Sequence, residues 1–325
     1  MEKLGTKASS RNLIRREQIV KKEVSVIVPS YNRGYILEKT IPSYIQDEVA
    51  ELILVDDASA DDTPEVVNRL QQKYPIIRYI RLGKNMKQTA AKNRGIMAAG
   101  YPYIYFGDDD SFILPGTIGY LLETLHKENA DVVGALALYA NNETDMAEIE
   151  TFVSENAPYV QFAEEIVNLR HLERVAFKYR VSEPLRLPFV HACALAKTTF
   201  AKSILFDVSY QGNAYREETD FFLRCAEAGA VIYYDSRGVQ INYPFSMINR
   251  IRTLKSMWRH GYYDILNSLK LIYRHHWFLK KEYQYPYSRA VMMCLYILNS
   301  GLLYLGILPG RLYGIIRRKW QGAVI

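Results

Sequence analysis

The chain has 325 residues, 49% of them hydrophobic, enough for one large core, and it carries no internal repeat, low-complexity tract or cleavable signal sequence. Its three Cys are far apart and odd in number, which excludes a disulfide framework and a cysteine metal site and fits a reducing compartment. The net charge of +6 averages opposites: +5 over residues 1–22, −9 over 23–250 and +10 over 251–325. The acidic middle therefore excludes a nucleic-acid track, and the basic end suggests an anionic membrane surface as partner.

Residues 1–22 are polar and basic and read as a frayed or helical arm. Val24-Ser25-Val26-Ile27-Val28 is a strand-forming run that stops at Pro29 and opens into the polar turn Ser30-Tyr31-Asn32-Arg33. Apolar positions at helical spacing predict a helix over 35–46. Glu51 to Val55 repeats the design, a buried strand ending in Asp56-Asp57 and the small residues Ala58-Ser59. A helix follows over 62–73, with Pro64 in a first turn that accepts it. Next come a strand over 76–82, an alanine-rich helix over 88–99, and the apolar strand 103–107, which delivers Asp108, Asp109 and Asp110 together.

Strand and helix alternating on this scale specify a doubly wound α/β sheet. Ligands bind such sheets beyond the carboxyl ends of the strands, where Tyr31, Asp57 and Asp108 to Asp110 converge. Three adjacent carboxylates repel one another. They are coherent as a site shared by a polyphosphate and Mn²⁺ or Mg²⁺, which take hard oxygen ligands; a solvated acidic turn is the plainer alternative.

Further along, His191 lies in an apolar run and reads as a core residue. Glu217-Glu218-Thr219-Asp220 opens a helical pattern that ends at Gly229. Acids in a first turn complement the helix dipole, and Asp220 with Arg224 has the spacing of an exposed helix pair. Residues 251–325 form a basic and apolar region. Leu254, Trp258, Tyr262, Ile265, Leu269 and Ile272 recur at helical spacing beside Lys255, Arg259, Lys270 and Arg274, as an interfacial helix requires. The alternative is an amphipathic helix covering the protein's own core. Residues 290–308 carry no charge and are near the minimum length for a membrane span. Basic residues flank that segment on both sides, Lys280, Lys281 and Arg289 before it and Arg311, Arg317, Arg318 and Lys319 after it. Orientation is left open by this symmetry, and a hairpin entering and leaving one leaflet agrees with it.

The series Ser25 to Asn32, Val55 to Ser59, Ala90 to Gly95, Asp108 to Asp110 and Arg216 to Asp220, in that order, is similar to an inverting family 2 glycosyltransferase with the GT-A fold, over about residues 23–245. One such motif is weak; the set in register is specific. The resemblance implies that Asp57 hydrogen-bonds the donor's nucleotide base, with Tyr31 against the base and Pro29 on the same donor side. It implies Asp108 and Asp110 as the DXD motif, the first toward the ribose and the second toward the metal, with Asp109 supporting. Arg94 then neutralises the carboxylates or the donor diphosphate, a structural ion pair being the alternative. Glu218 takes the place of the general base, where many relatives have Asp, with Glu217 as fallback and Asp220 as a structural or acceptor-orienting residue. Asn242 stands where relatives often have a metal-binding His, which leaves a third metal ligand open. Ala58 replaces a usual Gly and so calls for a turn without a positive φ.

The expected architecture is a basic arm (1–22), a GT-A catalytic domain (23–250) and a helical membrane-associating region (251–325). The expected activity is inverting transfer of a sugar from a nucleoside-diphosphate sugar to a hydroxyl of a glycan or lipid-linked acceptor. Mn²⁺ or Mg²⁺ is the expected cofactor, and the cytoplasmic face of a membrane the expected location. A nucleotidyltransferase is the enzymatic alternative, but it calls for a phosphate-binding loop straight after the first strand, where Pro29-Ser30-Tyr31-Asn32 stands. A non-catalytic, membrane-associated scaffold with a degenerate donor site is the other alternative.

Overall fold

The computed structural model describes residues 20–168, 174–212, 214–244, 246–248 and 254–304. In chain order the elements begin with β1 (Val24–Ser30), α1 (Gly34–Thr40), β2 (Val49–Asp56), α2 (Thr63–Lys73) and β3 (Ile77–Arg81). They continue with α3 (Gln88–Ala98), β4 (Tyr103–Phe106), β5 (Ser111–Ile113), α4 (Thr117–Lys127) and β6 (Val132–Tyr139). Short helices α5 (Glu143–Ala147), α6 (Ile149–Asn156) and α7 (Ala163–Ile166) precede the paired strands β7 (Val167–Asn168) and β8 (Arg174–Val175). Then follow β9 (Leu185–Arg186), β10 (Ala194–Lys197), α8 (Thr198–Ile204), α9 (Glu217–Glu227), β11 (Ile232–Asn242), α10 (Leu254–Tyr283) and α11 (Arg289–Tyr304).

The main sheet has the order β3-β2-β1-β4-β10-β6-β11-β5, with β9 also beside β11. Its first four strands are parallel. The sheet then becomes mixed, because β10 runs antiparallel to both β4 and β6, while β5 and β9 run antiparallel to β11. Side chains alternate across it, as strand geometry demands. Val26, Val28, Leu52 and Leu54 join Leu37 of α1, Val67 of α2 and Leu121 of α4 in one core. Ile27, Ile53 and Val55 join Ala91 of α3, Ala201 of α8 and Phe221 of α9 in the other. Both faces are thus covered by helices, which is why the strands read as continuous apolar runs.

Two local departures from the sequence-based expectations have plain causes. The helix expected over 35–46 stops at Thr40 and tightens into a 3₁₀ turn over Ile41–Tyr44, since Pro42 has no N–H for an α-helical bond. Pro29 is tolerated inside β1 because β4 pairing ends at Ile27↔Phe106, before the proline is reached.

The C-terminal helices pack onto the second core. Leu271, Ile272 and Leu279 of α10 and Met292 and Tyr296 of α11 are buried in it. The anchor of α10 is Asp220, which is fully buried, so the expected exposed helix pair with Arg224 is corrected. Asp220 accepts from Arg224 Nε (2.7 Å), Arg274 Nη1 (2.7 Å), His275 Nε2 (3.0 Å) and Tyr210 Oη (3.1 Å). Against the upward push of burial, His275 and Arg224 hold its carboxyl below the usual range. Ile272 therefore belongs to the core rather than to an interfacial face. The opposite side of α10 exposes Tyr262, Leu266, Tyr273 and Trp277. Among the described residues no helix is long and apolar enough to cross a membrane. Most of the N-terminal arm, residues 305–308 and the basic residues Arg311, Arg317, Arg318 and Lys319 lie outside the described residues, as do the side chains of Leu254, Lys255 and Trp258.

Helix α3 lies hard against β1, and a Cβ built at Gly95 would overlap Ile27 Cγ2. Gly95→Val is accordingly expected to destabilise the protein by about 1–3 kcal/mol through overpacking, read as a lower urea midpoint. An unchanged midpoint would show that α3 can lift from the sheet without loss.

Candidate functional site

The loops after β1 and β2 are stitched together at the carboxyl edge of the sheet. Asn32 donates its backbone N–H to Ser59 Oγ (2.9 Å), and Asn32 Oδ1 accepts from Ala60 N (2.8 Å). Asp56 Oδ1 accepts from Ser59 N (2.8 Å), closing an Asx-type turn. That turn holds Ala58 at φ 63°, so the expectation of a turn without a positive φ is corrected. The flanking bonds impose the left-handed backbone that a glycine would adopt freely.

Asp57 is buried, and its two oxygens accept from Met86 N (2.6 Å) and Lys87 N (2.8 Å). It thereby fixes the entry to α3. Tyr31 stands exposed at the mouth of β1, and Pro29 is a buried strand residue in register with Val55.

Asp108, Asp109 and Asp110 follow β4 directly and bring carboxylate oxygens within 4.8 Å of one another. Buried Tyr44 braces this turn from below, its Oη 3.1 Å from Asp108 N and 2.8 Å from Ser111 Oγ. Burial, then the Asp110 and Asp109 charges, push Asp108 well above the usual carboxylate range. Burial and Asp110 likewise push Asp109 up to about 7. Arg33 faces the cluster, Nη2 lying 3.3 Å from Asp110 Oδ2 and Nε 3.6 Å from Asp109 Oδ1. An all-oxygen set this closely spaced fits Mg²⁺ or Mn²⁺ by donor chemistry. Asn242 ends β11 beside this turn, in register with Ser111, and its Nδ2 donates to Leu138 O (3.0 Å).

Helix α9 starts at Glu217 from Arg216, whose φ of 75° turns the chain sharply into the helix. Lys92 of α3 reaches both first-turn acids, with Nζ 2.7 Å from Glu218 Oε1 and 3.0 Å from Glu217 Oε1. Burial pushes Glu217 up to about 7, partly offset by Lys92. For half-buried Glu218 the balance is reversed: against burial, Lys92 and then His191 hold its carboxyl below the usual range. The two acidic groups also feel each other, since Glu218 and Lys92 both contribute to the field at Asp108.

Arg94 is exposed, and the charge facing the carboxylates comes from Lys92 and Arg33. Residues 92 and 94 lie about 200° apart around a helix and cannot share a face. Lys92 sits on the buried stripe Thr89, Lys92, Ile96 and Ala99; that three- and four-residue spacing is the signal by which the sequence marks it. Arg33 and Tyr44 carry no comparable mark, because each reaches the acidic turn from elsewhere in the chain.

Residues 25–179 match the family model described as Glycosyl transferase family 2. The chain is 38% identical over 116 residues to GalNAc(5)-diNAcBac-PP-undecaprenol beta-1,3-glucosyltransferase of Campylobacter jejuni, covering 34% of this chain and 37% of that one. It is 29% identical over 117 residues to poly(ribitol-phosphate) beta-N-acetylglucosaminyltransferase TarP of Staphylococcus aureus, covering 34% and 36%. The matched stretch thus spans little more than a third of either relative. In three dimensions the chain is similar to the mannosyltransferase PcManGT of Pyrobaculum calidifontis, solved with GDP-Man and Mn²⁺, at TM-score 0.55 and 15% identity over 94% of this chain and 81% of that one. A TarS fragment of Staphylococcus aureus solved with UDP gives 0.51 and 17% over 75% and 66%. Residues 25–179 are thus similar to glycosyl transferase family 2, and the chain shares the fold of these solved transferases.

Proposed function

We propose that the protein transfers a sugar from a nucleoside-diphosphate sugar to a hydroxyl of a glycan or lipid-linked acceptor, with inversion at the anomeric carbon and with Mn²⁺ or Mg²⁺ as cofactor. The observation that carries this reading is the meeting of the Asp108–Asp110 cluster with the Glu217–Glu218 pair at one sheet edge. A nucleotidyl transfer site has no use for the second pair in a separate, lysine-clamped position.

On the donor side, Asp57 keeps lone pairs free beyond its two backbone bonds, enough to accept from a nucleotide base, and exposed Tyr31 offers a ring for that base. Pro29 shapes the strand end from which Tyr31 projects. Asp108 and Asp110 are the residues that would hold the divalent cation, which would supply charge neutralisation for the departing nucleoside diphosphate. Asp109 is paired with Arg33 and supports the turn. On the acceptor side, Glu218 takes the proton of the attacking hydroxyl as the new bond forms, because an alcohol is too weak an acid to ionise first. Attack from the face opposite the diphosphate inverts the centre in one displacement. No covalent sugar–enzyme intermediate is needed.

The named relatives act on an undecaprenol-linked glycan and on poly(ribitol-phosphate), which supports a lipid-linked or polymeric acceptor. A place at the cytoplasmic face of a membrane agrees with the apolar, largely aromatic stripe Tyr262, Leu266, Tyr273 and Trp277 beside Lys280, all at one face of α10 by helical spacing, and with Val291 and Leu298 exposed on α11.

Glu218→Gln keeps the shape of the side chain and removes its basicity. Its turnover should fall by about 10²–10⁴-fold with little change in donor affinity, measured as nucleotide release from UDP-glucose, UDP-N-acetylglucosamine and GDP-mannose with Mn²⁺. A fully active Glu218→Gln beside an inactive Glu217→Gln would move the base by one residue. The membrane reading is tested with vesicles of phosphatidylglycerol and phosphatidylcholine. The full chain should sediment with them, each basic residue near the surface adding about 1 kcal/mol, and Tyr273→Ala/Trp277→Ala should bind less at equal melting temperature. A full chain that stays in solution with anionic vesicles at low salt refutes it.

A further inference from the structure

We propose that Lys92 is a positioning residue for sugar transfer, a buried cation of the donor-side helix α3 that fixes the Glu218 carboxylate at the opening of α9. The inference rests on Glu218 as the general base and adds to that reading a residue that touches neither substrate.

Lys92 is 2% exposed, a rare state for a lysine. Its stem runs along the packed face of α3, its Nζ lies 5.1 Å from the centre of the Phe206 ring, and its charge ends between two carboxylates. A buried ion pair adds little stability over apolar residues of equal volume, because desolvating the ammonium offsets most of the attraction. Stability alone therefore gives no reason for a lysine here. Geometry does: α3 lies directly on β1, and α9 carries the two glutamates, so Lys92 ties the start of α9 to α3.

The two carboxylates it holds are consecutive residues at a helix start and repel each other. Lys92 offers each of them a bond to one oxygen, while Glu217 Oε2 is buried with no hydrogen-bond partner in the described structure. Glu217 is thus committed to the lysine, and Glu218, whose side chain is partly exposed, is oriented by it. Removing the ammonium leaves two crowded carboxylates free to move apart. A misplacement of about 1 Å in a reacting group is enough to lower a rate about 10²-fold.

The test compares Lys92→Met, Lys92→Arg and Glu218→Gln, each alone and with Lys92→Met combined with Glu218→Gln. The readout is Mn²⁺-dependent release of nucleotide from UDP-glucose, UDP-N-acetylglucosamine and GDP-mannose with water as acceptor, with thermal melting to establish folding. Lys92→Met should lose about 10²-fold in kcat at nearly constant KM. Its rate should begin to rise at higher pH than in the parent, since Glu218 loses the charge that keeps it ionised. Lys92→Arg should recover part of kcat, and Lys92→Met should cause no further loss in the Glu218→Gln background. If Lys92→Met melts early, Lys92→Gln replaces it, with the same expected pH displacement. Parent kcat and an unmoved acid limb in the uncharged variant, beside an inactive Glu218→Gln, overturn the role of Lys92 alone. A fully active Glu218→Gln overturns the base assignment instead.

Discussion

Repulsion among carboxylates is the constraint on which this structure is organised. Asp108, Asp109 and Asp110 leave one strand together, and Glu217 and Glu218 open a helix across from them. Left in one group they would expel one another into water. The fold keeps them as two clusters with separate counter-charges, Arg33 against the first and Lys92 against the second. In the proposed reaction the same partition separates two chemical tasks, diphosphate release at one cluster and proton removal at the other. Burial pushes Asp108, Asp109 and Glu217 above the usual carboxylate range, whereas, against burial, Lys92 and then His191 hold Glu218 below it.

Much of this was legible in the sequence wherever one residue's neighbours along the chain determine its fate. The strands ending at Ser30, Asp56 and Phe106 follow from β-branched and aromatic runs cut off by turn residues, and their parallel order from the helices between them. The acidic triplet was visible for the same reason. Partners that come from distant segments were not visible. Lys92 and Arg94 look equivalent in a basic motif, yet only a view down the helix separates them. Tyr44 reads as the end of an amphipathic helix, and its hydroxyl nevertheless braces the Asp108 turn 64 residues later. Ala58 shows that a missing glycine need not change the backbone when Asp56 and Ser59 fix the turn.

The C-terminal helices serve two surfaces at once. Their inner side completes the core and α10 converges on Asp220, two residues after Glu218, so the seating of α10 and the position of the proposed base depend on one helix. Their outer side carries exposed aromatic residues that the core does not require. Periodicity alone could not assign these sides, because both are apolar and both are interrupted by basic residues. The buried polar network is what distinguishes them.

The division of labour between the two acidic clusters is tested most directly by anomalous diffraction from crystals of the full chain soaked with Mn²⁺ and UDP. Manganese is predicted at the carboxylates of Asp108 and Asp110, with Glu217 and Glu218 still held by Lys92 and free of metal. Manganese bound between Glu217 and Glu218, with the aspartate turn empty, would contradict the account.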